Sequence, residues 1–245
     1  MLIRRSHEDG VTTLTLDSPH NRNALSAALV GELHDALGDA VRDAGTRAVV
    51  LTHTGNTFCA GADLRDRRPT GPDDLVRLLR TILELPKPVV ARVAGHVRAG
   101  GLGLLGACDI AVAGEDASFA FTEARIGLAP AVISLPLLPR IDARAAARYY
   151  LTGERFDARE AARIGLISAA AEDPGKALEP VLDGLRRGSP QGLAESKRLV
   201  TAGVLRAFDR DADDLAALSA RLFASAEARE GMTAFLERRD PAWAR

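Results

Sequence analysis

The chain has 245 residues, 47% of them hydrophobic and 27% charged, so it can bury a substantial core and is not a disordered chain. Its 32 basic and 33 acidic residues nearly cancel, which excludes the strong basic bias expected of a nucleic-acid or membrane-surface binder. No apolar run approaches the roughly 20 residues that span a bilayer, and the start shows no signal-peptide pattern. We expect a cytoplasmic protein with neither a nucleic-acid nor a membrane partner.

The N-terminal half alternates strands and helices, which predicts an α/β fold. Residues 2–17 predict a hairpin that turns at His7–Gly10, because Val11–Leu16 alternates and is rich in β-branched residues. Residues 24–43 predict an amphipathic helix with a leucine on every fourth position and Asn23 or Ser26 as its cap. Further along, the patterns predict strands at 48–52, 89–94 and 109–113 and a helix at 73–84.

From about residue 143 onward the sequence predicts almost only helix, over 176–187, 191–202, 207–226 and 228–238. This shift suggests two regions: a core over residues 1–190 that binds ligand, and a helical region over residues 191–245 that packs on the core or on a neighbouring subunit. Cys59 and Cys108 lie far apart without CxxC spacing, so we expect reduced core thiols. The histidines show no ligand spacing, so we expect no metal site. His96 is expected to be structural.

The segment Gly101–Gly106 matches the dinucleotide-binding pattern GxGxxG. A parallel crossover needs a dozen or more residues, and only about eight separate Gly101 from the next predicted strand at Asp109, so we reject a nicotinamide site. Gly100 and Gly101 instead open a short helix, whose first amides lack internal partners and favour negative charge. The loop Cys59–Leu64 also contains several small residues and lies at a predicted strand-to-helix turn. Two such loops facing each other would offer two amides to one developing oxyanion.

Several segments, in the same order along the chain, resemble the enoyl-CoA hydratase/isomerase (crotonase) family. They are Asn21–Leu25, Phe58–Leu64, Lys87–Gly95, Ala99–Leu104, Ala107–Ile110, Phe119–Glu123, Ile126–Pro130, Leu151–Ala158 and Glu230–Phe235. The resemblance implies a crotonase fold, a spiral of ββα units followed by a helical trimerisation region, assembled as a homotrimer or a dimer of trimers. It implies an acyl-CoA thioester substrate and no separate cofactor, since coenzyme A enters as part of the substrate.

By position in the family motifs, the amides of Ala62 and Gly100 would form an oxyanion hole. The same motifs would place Arg22, Ala24, Ala60, Ala62, Asp63, Leu64, Arg65 and Gly100 along the CoA moiety. Arg67 and Arg68 are further candidates for its phosphates. Ser134 lacks the Gly-x-Ser-x-Gly context of a nucleophile.

The family's hydratases commonly use two glutamates, and only the second is present here, as Glu123. The first position holds Gly103, which cannot transfer a proton. The Gly101–Leu104 and Thr122–Ser134 stretches look like the methylglutaconyl-CoA-type branch, which also lacks the first acid. The expected function is therefore a single-glutamate enoyl-CoA hydratase, with fatty-acid oxidation, branched-chain degradation and secondary metabolism all open as its pathway. Two alternatives remain open: a Δ3-Δ2-enoyl-CoA isomerase with Glu123 as its sole proton shuttle, and a non-catalytic CoA-thioester-binding member.

Overall fold

The chain forms two β-sheets covered by helices, in a computed structural model that describes residues 1–66 and 70–244. The strands in these ranges are β1 (Ile3–Glu8), β2 (Val11–Leu16), β3 (Ala48–His53), β4 (Thr57–Cys59), β5 (Val89–Val93), β6 (His96–Arg98), β7 (Ile110–Gly114), β8 (Ser118–Ala120), β9 (Phe156–Asp157) and β10 (Ala169–Ala171). The larger sheet has the order β1-β2-β3-β5-β7-β10, and the smaller sheet has the order β4-β6-β8-β9.

The helices are α1 (Ala27–Arg42), α2 (Pro72–Glu84), α3 (Gly100–Ala107), α4 (Ser134–Leu137), α5 (Ala143–Thr152), α6 (Ala158–Arg163), α7 (Pro174–Arg187), α8 (Pro190–Phe223) and α9 (Ala226–Glu237). Two short 3-10 turns lie at Pro19–Asn21 and Glu123–Ile126. In the described ranges, no helix is both long enough and apolar enough to cross a membrane. The predicted α/β class is confirmed.

A ββα unit recurs along the chain, as β1–β2–α1, β3–β4–α2 and β5–β6–α3. In the second and third units the first strand joins the larger sheet and the second strand joins the smaller one. The helix α3 therefore connects strands of different sheets, and the rejection of a dinucleotide-binding crossover at Gly101–Gly106 agrees with this topology. The apolar stripe of α1, through Leu29, Leu33 and Leu37, is fully buried in the same core as the larger sheet.

The N-terminal hairpin turns more tightly than predicted. β1 and β2 pair from Ile3 opposite Leu16 to Glu8 opposite Val11, so only Asp9 and Gly10 form the turn. Both have positive φ, 45° and 76°, as a two-residue turn requires for the twist of the strands. The α1 cap is Ser26, whose side chain accepts the Leu29 amide.

Two predictions for the second half of the chain are wrong. The helices predicted at 191–202 and 207–226 are one continuous helix, α8, because the buried face continues through Val204 and Phe208 past the exposed Gly203. The prediction of almost only helix after residue 143 is also wrong, because this part of the chain contains the strands β9 and β10, which are two and three residues long. Such short strands carry too few residues to show alternation.

A buried ion pair fixes α8 to the core. Lys197 and Asp109 lie 2.8 Å apart, with 3% and 9% of their side chains exposed. The Lys197 ammonium also donates to the carbonyls of Ile82 and Lys87, and Asp109 accepts the Val89 amide. One helix of the C-terminal region is therefore anchored beside the strands of the larger sheet by charge as well as by apolar packing.

We expect Lys197→Ala to destabilise the protein by about 3–5 kcal/mol, because it leaves Asp109 as a buried charge without its partner. Urea unfolding measures this change. The matched control is Arg198→Ala on the same helix turn. It removes an exposed pair with Glu195 and should cost at most about 1 kcal/mol. Equal losses in the two variants would contradict a special role for the buried pair.

Candidate active site

Three parallel strands of the smaller sheet end beside the predicted site. β4, β6 and β8 run in the same direction, so their carboxyl ends meet at one edge. These ends lead into the Ala60–Ala62 loop, into Ala99–Gly100, and into Phe121–Glu123. Ligand sites of α/β folds commonly use this edge, because the connecting loops collect there. The three predicted catalytic positions thus come from neighbouring strand ends, although Ala62 and Glu123 are 61 positions apart in the sequence.

The Ala60–Ala62 loop and the start of α3 are in contact. Gly61 adopts φ 89°, and a Cβ built on it would lie 2.8 Å from Ala99 Cβ and 3.3 Å from the Gly100 nitrogen. A Cβ built on Gly100 would lie 3.8 Å from the Ala62 nitrogen. Only glycine at position 61 allows this approach, since any side chain would meet both a steric clash and an unfavourable φ.

The amides of Ala62 and Gly100 are available to a ligand. Neither donates a hydrogen bond to any group in residues 1–66 or 70–244, whereas their neighbours do. The amide of Asp63 bonds Leu25, and that of Ala99 bonds Ala120. Gly100 is the first residue of α3, where an amide has no partner within the helix. The two turns therefore offer two unused donors at their point of contact.

Ala99 holds a strained backbone directly before Gly100. Its φ of 45° and ψ of −121° lie in a region that residues with a side chain rarely adopt, and such a conformation costs about 1–3 kcal/mol. Its amide bonds Ala120 at 3.2 Å, and its carbonyl accepts the Leu102 amide at 2.8 Å. These two bonds hold the turn that presents the Gly100 amide.

Glu123 is a buried carboxyl at the start of the 3-10 turn Glu123–Ile126. It is 8% exposed, and its Oε2 has no hydrogen-bond partner among the described residues. Burial raises the pKa of Glu123 to about 7. A carboxyl with this pKa holds and releases a proton near neutral pH, as an acid–base group must.

Gly103 lies where the sequence comparison expects the first family glutamate, and the space beside it is filled. A Cβ built on Gly103 would lie 2.6 Å from Ile133 Cγ2 and 3.4 Å from Leu79 Cδ1. The side chains of Ile133 and Leu79 are buried in the main core. The side chains of Ile133 and Leu79 therefore form an apolar wall in the space that a carboxylate at position 103 would need.

Three predicted CoA-binding residues lie near the Gly61 turn. The Arg22 side chain is exposed, and its backbone carbonyl accepts the Ala60 amide at 3.1 Å. Ala60 is partly exposed, whereas Ala24 is only 5% exposed, so its methyl group belongs to the core.

The loop after Ala62 is held by Asp63. Its carboxylate accepts from Asn21 Nδ2 at 2.9 Å and from the Arg65 amide at 3.0 Å. Leu64 is half-buried, and the Arg65 side chain is exposed next to it. Arg67 and Arg68, the further phosphate candidates, lie outside the described residues.

The other candidates from the sequence take structural contacts. His96 Nδ1 lies 3.0 Å from Ser118 Oγ, and Arg98 donates to both the hydroxyl and the carbonyl of Ser118. Cys59 and Cys108 are buried free thiols, and burial raises the pKa of each to about 12. Within the described ranges, no three His, Cys, Asp or Glu side chains cluster as metal ligands would.

The sequence does not single out Tyr150, whose ring lies 4.6 Å from that of Phe121, two residues before Glu123. It reaches this place because α5 packs against the 3-10 turn. No local pattern indicates that contact, since 27 positions separate Tyr150 from Glu123. Ile133 was likewise visible only as part of a motif, and its position over Gly103 is a tertiary feature.

Comparisons with known proteins identify the family. The sequence profile of the family described as "Enoyl-CoA hydratase/isomerase" matches residues 6–245. The crystal structure of an enoyl-CoA hydratase from Mycobacterium avium is 58% identical, with a TM-score of 0.92 and 99% of each chain covered. A Thermus thermophilus protein provisionally named an enoyl-CoA hydratase is 38% identical, covering 94% of this chain and 96% of its own length. The 1,2-epoxyphenylacetyl-CoA isomerase of Escherichia coli is 34% identical, covering 96% and 95%.

The chain therefore belongs to the enoyl-CoA hydratase/isomerase family. The resemblance and the crotonase fold inferred from the sequence are confirmed, and so is the general class of enzyme, a hydratase or isomerase of enoyl-CoA thioesters.

We expect Gly61→Ala to lower both stability and turnover. The new methyl group would push Ala99 and Gly100 away from Ala62, and the positive φ adds about 1–3 kcal/mol of strain. Urea unfolding and steady-state rates with enoyl-CoA measure the two effects. Gly31→Ala in α1 is the matched control, because a Cβ there meets nothing within 4 Å and should stabilise the helix by about 0.5–1 kcal/mol. A Gly61→Ala protein with full stability and turnover would contradict the tight contact.

The raised pKa of Glu123 predicts a pH-dependent contribution to stability. The folded protein holds the Glu123 proton more tightly than the unfolded chain, so this contribution is complete below pH 4.5 and is lost as pH rises to about 7. The loss amounts to about 3 kcal/mol. We expect the free energy of unfolding of the Glu123→Gln variant to lack this decline when both proteins are unfolded in urea from pH 4.5 to 8. Parallel pH curves for the two proteins would contradict the buried, protonated carboxyl.

Proposed function

We propose that this protein is an enoyl-CoA hydratase that adds water to a 2-enoyl-CoA thioester with Glu123 as its acid–base group. The observation that carries the proposal is the contact of two turns, each with an unused amide, at Ala62 and Gly100. One carbonyl oxygen can accept both donors. Addition of a nucleophile to a 2-enoyl thioester drives negative charge onto that oxygen, and amides already in place stabilise it without reorganisation.

The proposed reaction needs one carboxyl group. Ionised Glu123 takes a proton from water, and the water oxygen bonds C3 of the enoyl group. The electron pair of the C2–C3 double bond then moves toward the thioester carbonyl and forms an enolate, which accepts hydrogen bonds from Ala62 and Gly100. Glu123 next gives its proton to C2, and the 3-hydroxyacyl-CoA product forms. A carboxyl with a pKa of about 7 is present in both its ionised and its protonated form at neutral pH, as the two steps require. The water loses its proton as its oxygen bonds C3, so free hydroxide does not form.

The remainder of the substrate would follow the loop beyond Ala62. We assign the CoA moiety to the exposed side chains of Arg22 and Arg65 and to the backbone of Ala60, Asp63 and Leu64. The bond from Asn21 to Asp63 keeps this loop in place before substrate binds. The apolar wall of Ile133 and Leu79 suits an acyl chain more than a charged group.

We also propose that the protein assembles as a homotrimer or a dimer of trimers through residues 191–245. In this region Leu199 and Val200 of α8 and Phe235 of α9 are more than half exposed. Large apolar side chains at these positions are covered more favourably by another subunit than by water.

A second candidate function is Δ3-Δ2-enoyl-CoA isomerisation. It is favoured by the apolar wall beside Gly103, because moving a double bond requires one base to carry a proton between C4 and C2 and requires no water. The same two amides would hold the dienolate. The two functions differ in whether water has a place next to Glu123.

We expect Glu123→Gln to lower turnover by about 100-fold or more, because the amide cannot exchange protons. Hydration is followed as loss of the conjugated-thioester absorbance of a 2-enoyl-CoA, and isomerisation as its appearance from a 3-enoyl-CoA. Glu84→Gln is the control, since Glu84 is exposed on α2 and pairs with Arg80.

The wild-type assays separate the functions. Hydration by the wild type supports the proposal, and isomerisation alone supports the second candidate. Silence in both assays together with binding of CoA thioesters overturns both in favour of a non-catalytic member. An unchanged rate in Glu123→Gln would show that a group other than Glu123 transfers the proton.

A further inference from the structure

Tyr150 packs against the segment that carries Glu123, and neither side chain has a strong hydrogen-bond partner among the described residues. Glu123 Oε2 is buried without any partner among the described residues. The Tyr150 hydroxyl has one contact in these ranges, to Ser134 Oγ at 3.4 Å. That distance is long for a bond between hydroxyl groups. A buried carboxyl oxygen without a partner is uncommon in a folded protein and points to a ligand or water beside it. The half-buried Tyr150 hydroxyl is a second polar group near this place.

The position of the Tyr150 hydroxyl follows from three neighbours. Its ring packs on Phe121, two residues before Glu123. Its oxygen lies beside Ser134, which directly follows Ile133, the residue that fills the space over Gly103. Tyr150 therefore lies beside the segment that carries Glu123 and beside the segment of Ile133, which fills the space over Gly103. Burial raises the pKa of Tyr150, and the negative charge of Glu123 adds to this rise, so the phenol stays protonated and cannot serve as a base.

The proton of Ser134 decides what the Tyr150 oxygen can do. Ser134 Oγ lies 2.6 Å from the Pro130 carbonyl and 3.4 Å from the Tyr150 oxygen. A serine has one hydroxyl proton and a carbonyl can only accept, so the short contact takes that proton. The Tyr150 oxygen therefore keeps a lone pair that can accept a further hydrogen bond.

We propose that Tyr150 holds the reacting water together with Glu123: the water gives one proton to the carboxylate and donates its other hydrogen to the Tyr150 oxygen. A water held in this way has both hydrogens directed at the protein and a lone pair free to attack C3. The phenol proton does not move during the reaction, so proton transfer remains with Glu123 alone. Tyr150 would supply the second contact to water that Gly103 cannot supply. This inference rests on the proposed hydratase function.

Tyr150→Phe tests the inference, since it removes only the hydroxyl and keeps the ring on Phe121. We expect kcat for hydration of a 2-enoyl-CoA to fall about tenfold at unchanged KM, the effect of losing one neutral hydrogen bond in a desolvated site. Tyr149→Phe is the matched control on the neighbouring residue. The Tyr149 hydroxyl donates to Glu160 Oε1 at 2.8 Å, away from Glu123, and its loss should leave kcat unchanged.

A second readout separates the handling of water from a structural effect. Isomerisation of a 3-enoyl-CoA consumes no water, so any isomerase activity of the wild type should survive in Tyr150→Phe. Equal loss of hydration and isomerisation, a rise in KM in place of a fall in kcat, or an equal loss in Tyr149→Phe would each overturn the role of Tyr150.

The failure of the two proposals can be told apart. If the wild type hydrates enoyl-CoA and Glu123→Gln does not, an unchanged hydration rate in Tyr150→Phe overturns the role of Tyr150 and leaves the hydratase function intact. A wild type that does not hydrate any 2-enoyl-CoA overturns both.

Discussion

The contact between the Gly61 turn and the first residues of α3 constrains the rest of the site. Two amides can share one oxygen only if their backbones approach closely, and here the Gly100 nitrogen lies 3.3 Å from the place of a Gly61 Cβ. The approach requires glycine at 61 and forces Ala99 into a strained conformation. Strand β6 supplies one turn and β4 the other, and their pairing in the smaller sheet holds the turns in register. In the proposed mechanism, the ββα order of the chain thus places the two amide donors next to each other.

The pKa of Glu123 depends on its burial. Glu123 follows β8, the next strand in the same sheet, so it enters the site from the edge that carries the two amides. Burial is the main cause of its raised pKa. Ile133 and Leu79 fill the space that a side chain at position 103 would need.

Much of this arrangement was predictable because it lies in local patterns. The leucines of α1, the alternation of β2 and the glycines at 100 and 101 each predict their own element or turn from a short window. The resemblance then assigned Ala62, Gly100 and Glu123 to one site, although they are distant in sequence. The short strands β4, β6, β9 and β10 were not predictable, because two or three residues carry no period. Their strand geometry comes from neighbours in the sheet.

The positions of Ile133 and Tyr150 could not be predicted from the sequence, for a different reason. Each depends on how a later segment packs on an earlier one, and neither residue type in isolation indicates a functional site. Similarly, the sequence suggested a break within α8 near Gly203, but the helix continues because Val204 and Phe208 remain buried on its inner face. Packing decided these cases against local propensity.

The filled space beside Gly103 has a consequence for how such enzymes diverge. A Cβ at this position would lie 2.6 Å from Ile133 Cγ2, so a mutation that restores an acidic side chain at 103 meets the opposite wall before it reaches substrate. Residue 133 would have to shrink first, and that intermediate would carry a cavity with no catalytic gain. The order of the two substitutions therefore matters for any route to a second carboxylate, because Gly103 and Ile133 constrain each other sterically.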